Sequence, residues 1–126
     1  MKESISDLIE FIKQNRHKSP WARQLTVEKQ VNEFLSEVKE FEEAFQNKDN
    51  AHMKEEIGDV FIDVLHLIIL CEEKGLFTVR GVIQDVLAKM KRRKPFLFDG
   101  KGVKTVEEES TIWNKIKEEE KKGLHK

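Results

Sequence analysis

Residues 26–74 have the sequence TVEKQVNEFLSEVKEFEEAFQNKDNAHMKEEIGDVFIDVLHLIILCEEK, which predicts two helices joined by a short turn. Thr26 is placed to cap the first helix, which we expect to end at about Gln46. Residues 47–50 predict a compact polar turn. Along the first helix apolar residues recur at steps of three and four, as on one face of an α-helix; they are Val27, Val31, Phe34, Val38, Phe41 and Phe45.

The second helix of the pair is predicted to span about residues 51–74 and to stop at Gly75, because glycine readily adopts the backbone conformation that ends a helix. A polar stripe runs along it at steps of four, three, four and three, and consists of His52, Glu56, Asp59, Asp63 and His66. We expect its apolar residues to face inward; they are Ile57, Val60, Phe61, Val64, Leu67, Ile68 and Cys71.

Four acids on this pair of helices are the strongest sign of function. They form the motifs Glu37-x-x-Glu40 and Glu56-x-x-Asp59, and residues three apart share a helix face. In an antiparallel hairpin the four carboxylates can converge, and no Lys or Arg lies three or four residues from any of them or from Asp63. Two like charges about 4 Å apart repel by roughly 4 kcal/mol at an effective dielectric constant of about 20. A bound divalent metal such as Mg²⁺ is the simplest way to neutralise the cluster.

The remaining segments predict three further helices. The N-terminal helix is expected over about residues 4–16, with Ser4 and Asp7 as a capping pair, and residues 17–20 end it. Another helix, which Thr78 is placed to cap, is expected to end at about residue 92. After it, a loop of about ten residues with two glycines is longer than most helix connections and is a candidate functional segment. Thr105 and Glu108 form a capping box for the last helix, and the charged tail after about residue 118 is expected to fray.

The chain as a whole predicts an all-α fold of about five helices, in which the acidic hairpin packs into a helical bundle. Its 126 residues suit a single domain.

The formal net charge of −1 argues neither for nor against a nucleic-acid partner, and none is expected. The single cysteine, Cys71, excludes an internal disulfide and a thiolate metal cluster. With no signal-like or membrane-spanning stretch, we expect no membrane association and a cytoplasmic location.

Several motifs together resemble the MazG family of all-α nucleoside triphosphate pyrophosphohydrolases. The family signature is E-x-x-E, a spacer and E-x-x-D, which here has a spacer of fifteen residues between Glu40 and Glu56. Residues 19–21 (SPW), 56–59 (EIGD), 91–98 (KRRKPFLF) and 113–117 (WNKIK) are similar to further family segments. The resemblance extends over about residues 19–120, which leaves an N-terminal helix in residues 1–18 and a charged tail in residues 121–126.

The resemblance implies a reaction. Mg²⁺, or Mn²⁺ as a possible substitute, would be held by Glu37, Glu40, Glu56 and Asp59 and would bind the triphosphate. Water would attack the α-phosphorus and release a nucleoside monophosphate and pyrophosphate, in a role of nucleotide-pool house-cleaning. A bound metal also lowers the pKa of the attacking water.

One departure from the family pattern affects the catalytic candidates. Many members have E-E-x-x-E, whereas this chain has Ser36 before Glu37, and a serine cannot ionise to bind metal or to activate water. Glu33 lies one turn earlier on roughly the same face and can substitute, as can Asp63. The catalytic candidates are therefore Glu33, Glu37 and Glu40, and Asp63 is a candidate to join the site or to orient a ligand.

Basic and aromatic residues are candidates for binding the nucleotide. Guanidinium groups bind phosphate oxygens in pairs, which suits Arg92 and Arg93 and, with a point charge, Lys94. A basic cluster at a helix end also simply favours the helix dipole. Secondary candidates are Lys101, Lys104 and Lys117. Trp21 and Trp113 can stack on a base or pack in the core, and His52 and His66 are expected to be structural.

Alternative functions stay open on the sequence alone. A non-catalytic helical assembly protein that binds metal or nucleotide would explain Ser36. A relative specific for dUTP, dCTP or phosphoribosyl-ATP would share the four acids. Asp63-x-x-His66 also matches half of a di-iron signature, but no second copy exists. Wide apolar stripes on the two long helices predict self-association as a homodimer or a dimer of dimers.

Overall fold

A computed structural model of the chain describes residues 1–123, and within that range it contains helices and no strand. The all-α prediction is therefore confirmed, and none of these helices is long and apolar enough to cross a membrane. The chain divides into two compact units, Met1–Val79 and Arg80–Lys126. A single domain over residues 1–126 stays a prediction. The helices are α1 (Lys2–Lys18), α2 (Pro20–Arg23), α3 (Val27–Gln46), α4 (Asn50–Glu73), α5 (Val79–Arg93) and α6 (Val106–Lys121), with a 3₁₀ turn at Pro95–Leu97.

Helices α3 and α4 form the predicted antiparallel hairpin, with boundaries within a residue or so of those expected. The Thr26 hydroxyl accepts a hydrogen bond from the backbone N–H of Lys29 at 3.2 Å and caps α3 as predicted. Asp49 caps α4 by accepting from the backbone N–H of His52 at 3.1 Å. Gly75 follows α4 with a φ of 75°, as expected for a helix stop. Short-range signals thus fix both ends of the hairpin.

The core of the first unit lies between α1 and α4. It is built on Ile12, Leu65, Ile69 and Val79, which are all buried. Helix α1 begins at Lys2, before the predicted start, and its N-cap is Met1 without a side-chain cap. The capping pair of Ser4 and Asp7 was therefore a wrong prediction, because Lys2 and Glu3 are good helix formers and extend the helix past Ser4.

The inward apolar stripe predicted for α4 is partly wrong. Ile57, Phe61 and Val64 are 47%, 46% and 37% exposed. Helix α4 is covered on two sides, by α3 along its polar stripe and by α1 along Leu65 and Ile69, so its third side faces outward. The buried residues of α4 are Glu56, Asp63, Leu65, His66, Ile69 and Leu70.

The segment expected only to break α1 contains the short helix α2. Ser19 ends α1 and caps α2 by accepting from the backbone N–H of Ala22 at 3.2 Å, and Pro20 occupies the first turn, where its missing N–H costs nothing. The guanidinium of Arg16 donates to the carbonyl of Ala22. Trp21 is 69% exposed, so it does not pack in the core of this unit.

The second unit contains most of α5, the long loop and α6. Thr105 accepts from the backbone N–H of Glu108 at 3.1 Å and caps α6 as predicted. The return bond of the capping box is shifted by one residue, because the Glu108 carboxylate accepts from the N–H of Lys104 at 3.1 Å. Helix α6 continues to Lys121, so fraying from residue 118 was a wrong prediction. The last part of the predicted tail, residues 124–126, lies outside the described residues.

Candidate metal centre

The facing sides of α3 and α4 bring five acids together in two overlapping sets. Glu37, Glu56 and Asp59 each offer a carboxylate oxygen, and these atoms lie within 4.8 Å of one another. Glu33, Glu37 and Asp63 form a second set with the same spacing. Glu40 belongs to neither set, but it lies close enough to Glu56 for the Glu56 carboxylate to raise the pKa of Glu40. Spacing of three and four residues on both helices makes this convergence possible, as the sequence predicted.

Two of the acids are buried, whereas Glu37 and Asp59 are half-buried and Glu33 and Glu40 are exposed. Glu56 is 6% exposed and Asp63 is 8% exposed. Among the ion pairs of residues 1–123, none joins these acids to Lys or Arg. Within residues 1–123, Oε1 of Glu56 lies 3.1 Å from Nε2 of His52, which is a charged partner only when the imidazole is protonated.

Three carboxylate oxygens in the cluster are buried without a hydrogen-bond partner anywhere in the described structure: Oε2 of Glu37, Oε2 of Glu56 and Oδ2 of Asp63. A buried polar atom without a partner costs about 1–3 kcal/mol. Divalent cations such as Mg²⁺ bind through oxygen ligands at about 2.1 Å and would satisfy these atoms. The donor set is entirely carboxylate and fits a hard cation.

Proton sharing within the cluster is visible in its pKa values. The pKa of Glu37 is raised to about 8, first by the hydrogen bond that its protonated form makes to Glu56 and then by burial and by Glu40. That same bond holds the pKa of Glu56 below its ordinary value. The Glu56 carboxylate likewise raises the pKa of Glu40. Without a cation Glu37 retains a proton that a dication would displace.

Buried polar residues continue the acidic face beyond the four signature positions. Burial raises the pKa of Asp63, and the nearby amide of Gln30 opposes the rise. The Nδ1–H of His66 donates to the carbonyl of Ile62 at 3.1 Å, which leaves its buried Nε2 without a partner. Gln30 was not predicted from the sequence to belong to the site, although it lies one turn before Glu33 on the acid face of α3 and is 3% exposed.

In the second unit, Arg92 and Arg93 bind a single carboxylate, that of Glu120. Arg93 donates to Oε1 through Nε at 3.0 Å and Nη2 at 2.9 Å, and Arg92 donates to Oε2 through Nε at 2.6 Å. The two guanidinium groups lower the pKa of Glu120, and the hydrogen bond from Arg93 has the largest effect. Arg93 also lies over the ring of Trp113, 5.0 Å from its centre. Glu120 was not among the site residues predicted from the sequence.

The other basic candidates also lie in this unit. The Nζ atom of Lys94 is 2.9 Å from Oε1 of Glu109 and 5.8 Å from the centre of the Trp113 ring. Trp113 is half-buried, and its ring is contacted by Arg93 and Lys94. Lys117 is exposed on α6. Lys101 and Lys104 are exposed next to α6, in the loop that precedes it. A role for any of them in binding phosphate stays a prediction.

A family comparison decides the relationship that these motifs suggest. The model of the MazG nucleotide pyrophosphohydrolase domain matches residues 25–98, more than half of the chain and all four signature acids. The chain belongs to the MazG family. The predicted resemblance is thus confirmed, and the family is one of hydrolases.

Individual relatives support the MazG assignment. The chain is 36% identical over 104 residues to the uncharacterized protein YabN of Bacillus subtilis, covering 81% of this chain and 21% of that protein. It is 34% identical over 102 residues to the nucleoside triphosphate pyrophosphohydrolase/pyrophosphatase MazG of Thermotoga maritima, covering 80% and 38%. The chain thus spans about a fifth to two-fifths of the length of these relatives.

A solved MazG structure has the same fold. The crystal structure of a mazG-related protein from Thermotoga maritima superposes with a TM-score of 0.84 at 31% identity, covering 90% of this chain and 98% of that one. The all-α MazG fold therefore holds for nearly the full length of both chains.

Proposed function

We propose that this MazG-family protein is a metal-dependent nucleoside triphosphate pyrophosphohydrolase, in which water attacks the α-phosphorus to give a nucleoside monophosphate and pyrophosphate. The observation that carries the proposal is the set formed by Glu37, Glu56 and Asp59, whose oxygens lie within 4.8 Å of one another and have no Lys or Arg partner in residues 1–123. Such a set is costly to fold and well suited to a dication.

The acids of the hairpin would hold Mg²⁺, with Mn²⁺ as a possible substitute, through Glu37, Glu40, Glu56 and Asp59. When bound, the metal supplies positive charge for the triphosphate and lowers the pKa of water. His52 holds Oε1 of Glu56 at 3.1 Å and leaves its buried Oε2 free to face a ligand. Partners of this kind orient a metal-binding side chain.

Proton removal from water is assigned to the α3 carboxylates. Ser36 cannot perform it, and Glu33 is an exposed carboxylate beside Glu37 in the second acid set. Exposure keeps Glu33 accessible to water and able to pass a proton to solvent, which is what a general base needs. Glu37 and Glu40 are the other candidates.

Nucleotide binding is assigned to positively charged side chains, some of them held in place by ion pairs, to one acid and to one solvent-exposed aromatic ring. Arg92 and Arg93 are held in place by Glu120, and Lys94 and Lys117 add positive charge in the same unit. These four are proposed to bind phosphate. Asp63 is proposed to orient a ligand. The exposed ring of Trp21 is a proposed stacking surface for a base.

We also propose that the protein self-associates as a homodimer or a dimer of dimers. Val31 and Val38 on α3 are exposed, as are Ile57, Phe61 and Val64 on α4. On both helices these apolar residues lie roughly 140° around the helix axis from the acids. The rotation from the acids to the apolar residues has the same sense when each helix is viewed along its own chain direction. Because the two helices are antiparallel, this places both apolar stripes on the same side of the hairpin. A second copy would cover this apolar side.

Pyrophosphate release from a panel of canonical and modified nucleoside triphosphates tests the proposal. The assay contains Mg²⁺, Mn²⁺ or a chelator, and the Glu56→Ala protein is the control. Metal-dependent formation of monophosphate and pyrophosphate, absent in the variant, is the expected result, and the panel would also expose a preference for dUTP or dCTP. Nucleotide binding without turnover would instead support a non-catalytic protein in which Ser36 has replaced the reactive acid.

A further inference from the structure

Three polar side chains continue the facing sides of α3 and α4 beyond the proposed metal ligands. Gln30, Asp63 and His66 are 3%, 8% and 9% exposed, so each is at least nine-tenths buried. Burial raises the pKa of Asp63, and Gln30 and His66 lie close enough to oppose the rise. The three side chains therefore form one polar group inside the hairpin.

Each member of this group has one buried polar atom without a hydrogen-bond partner within residues 1–123. The atoms are Nε2 of Gln30, Oδ2 of Asp63 and Nε2 of His66. Since the Nδ1–H of His66 donates to the carbonyl of Ile62 at 3.1 Å, Nε2 of the neutral ring has a lone pair and accepts. Buried polar atoms without partners destabilise the fold, and a complementary ligand would satisfy them. Such a ligand offers one acceptor to Gln30 and two donors to Asp63 and His66.

Among the common nucleobases, guanine alone presents this pattern on one edge. Its O6 atom accepts a hydrogen bond, and its N1–H and 2-amino groups donate. Adenine has an amino donor in the place of O6, and cytosine has one donor group beside two acceptors. Uracil and thymine have one donor between two acceptors. The donors and acceptors of the buried group therefore select guanine.

The position of the group suits the base of a nucleotide whose phosphates lie at the metal-binding acids. His66 follows Asp59 by seven residues on α4, which is about 10 Å along the helix. A ribose separates its phosphate from the far edge of its base by a distance of this order. Exposed Glu33 has a carboxylate oxygen within 4.8 Å of one of Asp63, so the group borders solvent on this side. A base can reach the group from there.

We infer that Gln30, Asp63 and His66 bind the Watson–Crick edge of a guanine base, so that guanine nucleotides are the preferred substrates. Gln30 donates to O6, and Asp63 and His66 accept from N1–H and the 2-amino group. The inference rests on the proposed function, because it names the substrate class of the same site. None of the three residues belongs to the family signature or to the proposed metal ligands.

Hydrolysis of GTP, ITP, ATP and XTP, and of their deoxy forms, tests this selectivity in the full chain. ITP lacks the 2-amino group, and XTP has a carbonyl in its place. Loss of a hydrogen bond to a charged group lowers kcat/KM by about ten- to a hundredfold, which is the expected ratio of GTP to ITP. The ratio of GTP to ATP should be larger, because adenine also places a donor against the Gln30 amide. Equal kcat/KM values for GTP and ATP would overturn the inference.

Asp63→Asn changes one contact and keeps the size of the side chain. The new amide donates to the 2-carbonyl of xanthine, whereas the carboxylate accepted from the 2-amino group of guanine. The ratio of kcat/KM for GTP to that for XTP should therefore fall by at least about tenfold. Asp7→Asn is the matched control, because Asp7 is exposed on α1 and should keep the wild-type ratio. A wild-type ratio in Asp63→Asn would contradict the role of Asp63.

Gln30→Met is the second variant, for use if Asp63→Asn does not fold as judged by circular dichroism. It removes the donor to O6 and keeps the length of the side chain. The ratio of kcat/KM for GTP to that for ATP should fall by at least about tenfold. An unchanged ratio would overturn the inference.

Calorimetric binding of GMP, IMP and AMP gives a reading that needs no turnover. GMP should bind at least about tenfold more tightly than IMP or AMP, and equal affinities, or no binding of any of the three, would overturn the guanine site. Turnover of nucleoside triphosphates without a base preference overturns the guanine site and leaves the proposed function intact. Preferential binding of GMP by a chain without turnover keeps the guanine site and contradicts the proposed function.

Discussion

The carboxyl group of Glu37 on α3 faces that of Glu56 on α4, and this contact is the main reason why the pKa of Glu37 is raised to about 8 from an ordinary value of 4.5. The folded protein thus holds this proton more tightly than the unfolded chain does. The stabilisation is complete below pH 4.5 and is lost as the pH rises through about 8. We expect the melting temperature of the metal-free protein to fall between pH 5 and pH 8.

Thermal unfolding in chelator across that pH range measures the effect. Glu56 does not obscure it, because its pKa is lowered and its contribution changes only as the pH falls below its ordinary value. Added Mg²⁺ should flatten the slope, since the dication replaces the proton, and Glu37→Gln should remove most of the slope in chelator. A metal-free wild type that is equally stable at pH 5 and pH 8 would contradict the assignment.

Asp59 offers a second prediction, for activity. Substitution of Asp59 by Asn removes one charge from the set with Glu37 and Glu56 without changing the size of the side chain. Loss of a partner that merely orients a metal ligand costs about 10–100-fold, so loss of a direct ligand should lower metal-dependent turnover by more than about a hundredfold. Helical content by circular dichroism should stay the same. Glu55→Gln, an exposed neighbour on α4, is the control and should keep its activity.

The sequence predicted the hairpin and its acids because the signals are local. Thr26 caps a helix through the backbone three residues later, and acids three or four residues apart necessarily share a face. Convergence of Glu37 with Glu56 then requires only that the two helices be antiparallel, which the short turn at residues 47–49 imposes.

The outward side of α4 could not be predicted from the same pattern. This helix is apolar both along Leu65 and Ile69 and along Ile57, Phe61 and Val64, and periodicity does not tell which side is covered. The packing of α1 decides it, and that is a tertiary contact. Glu120 was missed for the same reason, since its partner Arg93 is 27 residues away in sequence.

Glu120 gives a third prediction, for the stability of the second unit. Its carboxylate satisfies Arg92 and Arg93 together, and it is 14% exposed. Glu120→Gln leaves one guanidinium without its acceptor and should lower the melting temperature by several degrees. Glu118→Gln is the matched control, because Glu118 lies 3.7 Å from Lys121 and both are well exposed, so their pair contributes little. Equal melting temperatures for the two variants would show that the Glu120 contacts do not stabilise the fold.

The exposed apolar side of the hairpin gives a fourth prediction, for assembly. Phe61 is 46% exposed in the single chain, and an aspartate in its place would put a charge into any interface that covers this side. We expect light scattering coupled to size-exclusion chromatography to show a dimer or tetramer for the wild type and a monomer for Phe61→Asp. Phe11→Asp is the control, because Phe11 is 54% exposed on α1 and not on the hairpin. A monomeric wild type, or an oligomer lost equally in both variants, would refute assembly through this side.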